Sequence, residues 1–91
     1  MSFVEKYPRL WNFFAAYFPD ADLDNLTDEV VVAEYKSEIQ ESALQQVVAE
    51  LDKLIVDTSC WEQAADDANR YFATQEENLA WLRMVRRELA G

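Results

Sequence analysis

The stretch SALQQVVAELDKLIV, residues 42–56, sets Leu44, Val47, Val48, Leu51, Leu54 and Ile55 on one stripe, with Gln45, Glu50, Asp52 and Lys53 off it. Apolar spacings of three and four are the period of an α-helix laid against a core, and the two-residue alternation of a half-buried strand does not produce them. Ser42 and Gln45 have capping-box spacing at its start. The only glycine is Gly91, so the Asn-Gly and Gly-X turns that tight β-hairpins need are missing on either side of this run.

Outward from that helix the same grammar recurs. Upstream, a segment over 7–18 places Pro8 where a helix can begin without its amide, then reads Leu10, Trp11, Phe13, Phe14, Tyr17 and Phe18 around most of the circumference. It is expected to be the central helix and to stop at Pro19, leaving 20–25 as a short aspartate-rich loop. Thr27 offers an N-cap for a second helix to about residue 36, with Asp28 and Glu29 in the first turn, where the helix dipole favours negative charge. Its three successive valines are also strand formers, but the segment lacks alternation and a hairpin partner, so the helix is preferred. A break is expected over 37–41. Downstream, Ser59 with Glu62 makes a second capping box, followed by Trp61, Ala64, Ala65, Ala68, Tyr71 and Phe72 at helical spacing. Thr74 with Glu77 makes a third and opens a last helix, with Leu79, Leu82, Val85 and Leu89 inward and Arg83, Arg86 and Arg87 near its end. The spacing predicts an all-α fold, a compact bundle of about five short helices around an aromatic-rich core, as one domain over residues 1–91.

Composition narrows the function. Eighteen carboxylates against eight Lys and Arg give a net charge of −10, and there is no His. Ser-His, Cys-His and His-ligated metal chemistry is thereby excluded. Phosphate backbones bind through Lys and Arg, so nucleic acid is not expected as a direct partner. No run of eighteen apolar residues exists to span a membrane, and no signal-peptide pattern is expected, since Glu5, Lys6, Pro8 and Arg9 come before any useful apolar stretch. Cys60 has no second Cys for a disulfide, which suits a reducing cytosol; Asp57 and Glu62 oppose its thiolate, and packing is its expected role.

Asp20, Asp22 and Asp24 open like a calcium loop, but Val31 stands where the closing bidentate Glu belongs, so no metal is expected. Neighbouring acids such as Asp66-Asp67 and Asp28-Glu29 point about 100° apart on a helix and do not converge on a substrate, so no enzyme activity is expected. Trp11, Trp61 and Trp81 fall at core spacing. The charge itself is uneven: fourteen carboxylates face only Lys36 and Lys53 between Asp20 and Asp67, a local net of −12, while the segments before and after sum to +1 each. Such an excess is self-repulsive and favours a basic partner over mere solubility.

The opening YPRLWNFFAAYF at 7–18, the aspartates after it, the acidic second helix and the closing WLRMVRREL at 81–89 together resemble the helical immunity proteins of bacterial contact-dependent growth inhibition (CDI) systems. The chain departs from that pattern at Ala21, where an aromatic is expected, and over 58–74. The resemblance implies a bacterial cytoplasmic protein without cofactor that binds, one-to-one, the C-terminal toxin domain of a large exported effector, commonly a nuclease, and neutralises it. The charge excess makes occlusion of the toxin's basic active-site or substrate-binding surface the expected mechanism, with binding at a nearby exosite the alternative, and Asp20, Asp22, Asp24, Asp28, Glu29 and Glu34 the expected contacts. An acidic adaptor or nucleic-acid mimic that binds another basic protein is the rival reading.

Overall fold

In a computed structural model describing residues 2–91, the periodic segments form six α-helices: α1 Phe3–Lys6, α2 Pro8–Leu23, α3 Asp28–Glu38, α4 Glu41–Ile55, α5 Trp61–Asp67 and α6 Gln75–Ala90. One 3-10 turn covers Thr58–Cys60, and there is no strand among the described residues. The all-α expectation therefore holds, with one helix more. That addition, α1, is a single turn too short for apolar periodicity to reveal. Ser2 Oγ accepts the Glu5 amide while Glu5 Oε1 accepts the Ser2 amide at 3.3 Å, closing a capping box. The turn drives Phe3 into the core, 5.9 Å from the ring centroids of both Tyr7 and Phe14.

The second helix is the centre, packing against α3, α4 and α5, while α6 closes over α3 and α4. Phe13 stacks on Tyr35 with ring centroids 3.9 Å apart, and Phe14 and Phe18 meet Trp81 at 5.2 and 5.1 Å in edge-on contacts. Such pairs add about 0.5–1.5 kcal/mol each beyond the area they bury. Trp61 and Trp81 are buried, Trp11 is half-buried against the same cluster, and Cys60 is a buried packing residue. The start of α2 is capped from a distance: Glu50 Oε1, on α4, accepts the amides of both Arg9 and Leu10 at 3.2 Å. A carboxylate there satisfies two orphan donors and meets the positive end of the helix dipole.

Several boundaries differ from expectation. The second helix does not stop at Pro19 but runs on to Leu23, so Asp20 and Asp22 are helical and the D-x-D-x-D spacing does not lie on a loop. Proline removes one helical hydrogen bond; burial of Ala21 and the pairing of Asp22 with Arg70 hold the extra turn in place. Two helices end in the same way. Asn25 and Asn69 take the left-handed conformation, with φ of 60° and 59°, and the next amides, of Leu26 and Arg70, return to the carbonyls of Ala21 and Ala65. This is the closure of a Schellman ending, with Asn in the place glycine usually takes.

The third helix begins at Thr27 as expected, its Oγ1 accepting the Val30 amide, and extends to Glu38. The fourth starts one residue early, on Gln40 as a cap without a side-chain bond, so the Ser42 and Gln45 box does not form. Nor does the Ser59 and Glu62 box: Ser59 Oγ donates instead to Asp57 Oδ1 at 2.6 Å, and residues 58–60 wind as the 3-10 turn. Asn69 ends α5 early, leaving Tyr71 outside any helix and exposed, with Phe72 half-buried against Trp81. The last helix begins as expected, with Thr74 Oγ1 accepting the Glu77 amide, while the Glu77 carboxylate takes the Ala73 amide one residue further out.

Asp57 ties the amino-terminal end to the end of α4. It accepts from Lys6 Nζ at 2.6 Å, from Ser59 Oγ and from the Tyr7 hydroxyl at 2.9 Å. The Lys6 ammonium first, then the two hydroxyls, hold its carboxyl well below the usual carboxylate range. Burial, aided by the Asp57 carboxylate, pushes the Tyr7 phenol up to about 12. A lowered folded-state pKa contributes stability that is complete above the unfolded value, near about 3.9 for Asp, and lost as pH falls below it. Asp57→Asn is accordingly expected to unfold more readily than the parent at pH 7, with the difference shrinking towards pH 2 in urea titrations followed by circular dichroism. For Tyr7 the sign reverses, so Tyr7→Phe is expected to flatten the loss of stability between pH 10 and 12.

Candidate functional site

The six acids singled out in the sequence converge on the α2–α3 corner, but they divide into two groups. Asp22 and Asp28 turn towards the body of the protein. Arg70, just past the end of α5, donates from Nη2 to Asp28 Oδ1 at 2.6 Å, from Nε to Asp28 Oδ2 at 3.2 Å and from Nη1 to Asp22 Oδ2 at 3.0 Å. The Trp81 indole donates to the same Asp28 Oδ2 at 2.7 Å, and Asn69 Nδ2 donates to Asp22 at 2.9 Å. Arg70 also lies over the Phe18 ring at 5.3 Å and donates to the carbonyls of Ala68 and Asn69 at the end of α5. The Asp28 carboxylate raises the Arg70 pKa still further above its already high value, and the Arg70 guanidinium lowers that of Asp22. These two aspartates are structural partners of one arginine whose side chain is only 16% exposed.

Asp20, Asp24, Glu29 and Glu34 have no such partner. Among the described residues, no Lys or Arg nitrogen lies within 4.0 Å of any of them. Three of the four, Asp20, Asp24 and Glu34, line one cleft of about 310 Å³ between the end of α2 and α3, walled by Tyr17, Ala21 and Leu26. Glu29 is exposed on the first turn of α3, outside that cleft. On the cleft wall the Tyr17 hydroxyl donates to Glu38, whose carboxylate is the main reason the phenol is pushed up to about 12.

The rest of the acidic middle segment follows the same division. Asp52 pairs with Arg86 at 2.8 Å and Asp57 with Lys6, so every cation paired to the segment comes from the nearly neutral ends of the chain. Arg86, in the second half of α6, thus pairs with a carboxylate thirty-four residues away. The acids of 20–67 left without a cation outnumber those that have one, so most of the negative excess survives folding as unpaired charge.

A second concavity was not foreseen from the sequence. A groove of about 870 Å³ runs between α5 and the 70–75 segment, irregular up to Thr74, and is lined by Glu62 and Asp66 of α5, by Tyr71 and by Asn78 of α6. The helical spacing of Tyr71 and Phe72 concealed it. Asn69 is the signal that could have revealed it, because Asn is the residue other than glycine that most readily ends a helix in the left-handed region.

Compared with known proteins, residues 6–89 match the family model described as CdiI immunity protein. No curated protein and no solved structure matches the chain.

The geometry orders three substitutions by their effect on stability. Arg70→Met strands the Asp28 carboxylate and is expected to lower the unfolding free energy in urea by about 2 kcal/mol. Asp28→Asn keeps an acceptor for Trp81 and is expected to cost about half as much. Asp22→Asn, more exposed, is expected to cost the least of the three.

Proposed function

This chain belongs to the CdiI immunity protein family, and we propose that it binds, one-to-one, the C-terminal toxin domain of a CDI effector and lays its α2–α3 acidic rim over a basic surface of that domain. Neutralisation of a cognate toxin is the role of the family, and it is a binding role that asks for no catalytic group. The toxin in this proposal is a nuclease met in the bacterial cytoplasm. Its cleft must be basic to hold a phosphate backbone, and the rim carries the complementary charge. Occlusion of the active site or of the substrate track follows from that contact.

The observation that carries the proposal is the set of unpaired carboxylates. Asp20, Asp24 and Glu34 share one cleft with Glu29 nearby, while the chain spends Arg70 on Asp22 and Asp28. Like charges held together without counter-charge destabilise the free protein, and a basic partner relieves the strain. The same field speeds capture, towards about 10⁸ M⁻¹s⁻¹ at low salt, before the toxin reaches its substrate. Asp22 and Asp28 contribute to that field at a distance, but their oxygens are already engaged.

Stopped-flow mixing with the toxin domain encoded alongside this protein tests the rim. Asp20→Lys combined with Asp24→Lys is expected to slow association about tenfold at low ionic strength and to flatten its salt dependence. Asp22→Asn is expected to leave association close to the parent rate. Equal rates for the double reversal and the parent would reject the rim as the interface. Binding of an unrelated nuclease with the same affinity would favour an acidic adaptor or nucleic-acid mimic instead.

A further inference from the structure

We propose that the groove between α5 and the 70–75 segment receives an arginine side chain of the toxin, with Tyr71 as the aromatic anchor and Asn78 as the acceptor at its floor. This deepens the toxin-binding reading and rests on it. Three independent features of the groove point to a cation. Glu62 and Asp66 stand four residues apart on one face of α5 and line the groove, and among the described residues neither has a Lys or Arg within 4.0 Å. Like charges at that spacing repel along a helix, and a cation between them reverses the sign.

Tyr71, which also lines the groove, is 91% exposed, the most exposed of the large apolar side chains. Its ring offers a π-face over which a guanidinium stacks, and Tyr is among the residues in which interface energy concentrates. The third feature lies at the floor. Asn78 is 7% exposed and its Nδ2 donates to the Trp61 carbonyl at 3.2 Å, while its Oδ1 has no hydrogen-bond partner. Buried acceptors are nearly always satisfied in folded proteins, so this oxygen is a place where an incoming donor gains a bond without displacing one. It is closed to water in the free protein, and the proposal places the guanidinium donor on it in the complex.

Arg70 forms part of the groove wall without opposing a cation, because Asp22 and Asp28 together outweigh its charge. It also joins the groove to the acidic rim, so a single partner surface covers both. A guanidinium suits the site better than an ammonium, since its plane stacks on Tyr71 while its several donors reach Glu62, Asp66 and Asn78 together.

The full chain is titrated calorimetrically with the toxin domain encoded alongside it, and by NMR with both that domain and argininamide. Tyr71→Ala is expected to weaken toxin binding at least about tenfold with Tyr71→Phe restoring it, and Glu62→Gln with Asp66→Asn to weaken it about tenfold and reduce its salt dependence. Tyr71 is exposed, so its variants are expected to melt at the parent temperature. The Asn78 side-chain amide signal is expected to shift in the toxin complex and with argininamide. Parent-like affinity of the groove variants, together with an unmoved Asn78 signal in the complex, overturns the groove and leaves the toxin-binding reading intact. Should the parent protein not bind the toxin domain, that reading fails; argininamide then decides the groove alone, a shift at Asn78 that disappears in Tyr71→Ala supporting it and no shift overturning it.

Discussion

The guanidinium of Arg70 is the junction on which this small bundle depends. It sits where the ends of α2 and α5, the start of α3 and the face of α6 meet, and its donors answer carboxylates or carbonyls from three of those elements. Asp28 carries the contact to the fourth by accepting from Trp81. A charge this enclosed is costly to leave without partners and adds little net stability when it has them. What it supplies here is directional: the planar fork holds Asp22, Asp28 and the end of α5 in one fixed arrangement.

Two helix endings make that junction possible. Asn25 turns the chain from α2 so that Asp28 opens α3 beside the aspartate of the previous helix, and Asn69 places Arg70 immediately past α5. Had α5 continued through Tyr71 and Phe72, as their spacing suggests, the Arg70 amide would not close the helix on Ala65 and residues 70–74 would not turn away from α5. The extra turn of α2 beyond Pro19 belongs to the same arrangement, because it carries Ala21 into the core and Asp22 to Arg70.

Charge is divided between stability and recognition. Lys6, Arg70 and Arg86, all from the two ends of the chain, pair with Asp57, Asp22, Asp28 and Asp52, and Glu50 serves as a cap for α2. The acids that remain are concentrated at the α2–α3 rim and along α5. Folding thus uses three cations to join distant segments and leaves most of the carboxylates of 20–67 unpaired. A chain selected for stability alone would spread such charge or pair it.

Much of this was already present in the order of residues. The three-and-four spacing of Leu44, Val47, Leu51 and Leu54, the aromatic crowding of Phe13, Phe14 and Phe18, and the caps at Thr27 and Thr74 determined an all-α bundle with α2 at its centre, because period and cap chemistry act within a few residues. The sequence also determined the location of the charge excess, since that is a matter of counting along the chain. Only the tertiary structure decided which carboxylates keep their charge free. Asp20, Asp22, Asp24 and Asp28 look alike in sequence, and what separates them is an arginine more than forty residues away that reaches two and not the others. The same holds for the caps that failed at Ser42 and Ser59, for Glu50 on the far end of α2, and for the groove beside Tyr71. Each depends on contacts between distant segments, and the energy of those contacts overrides local preference.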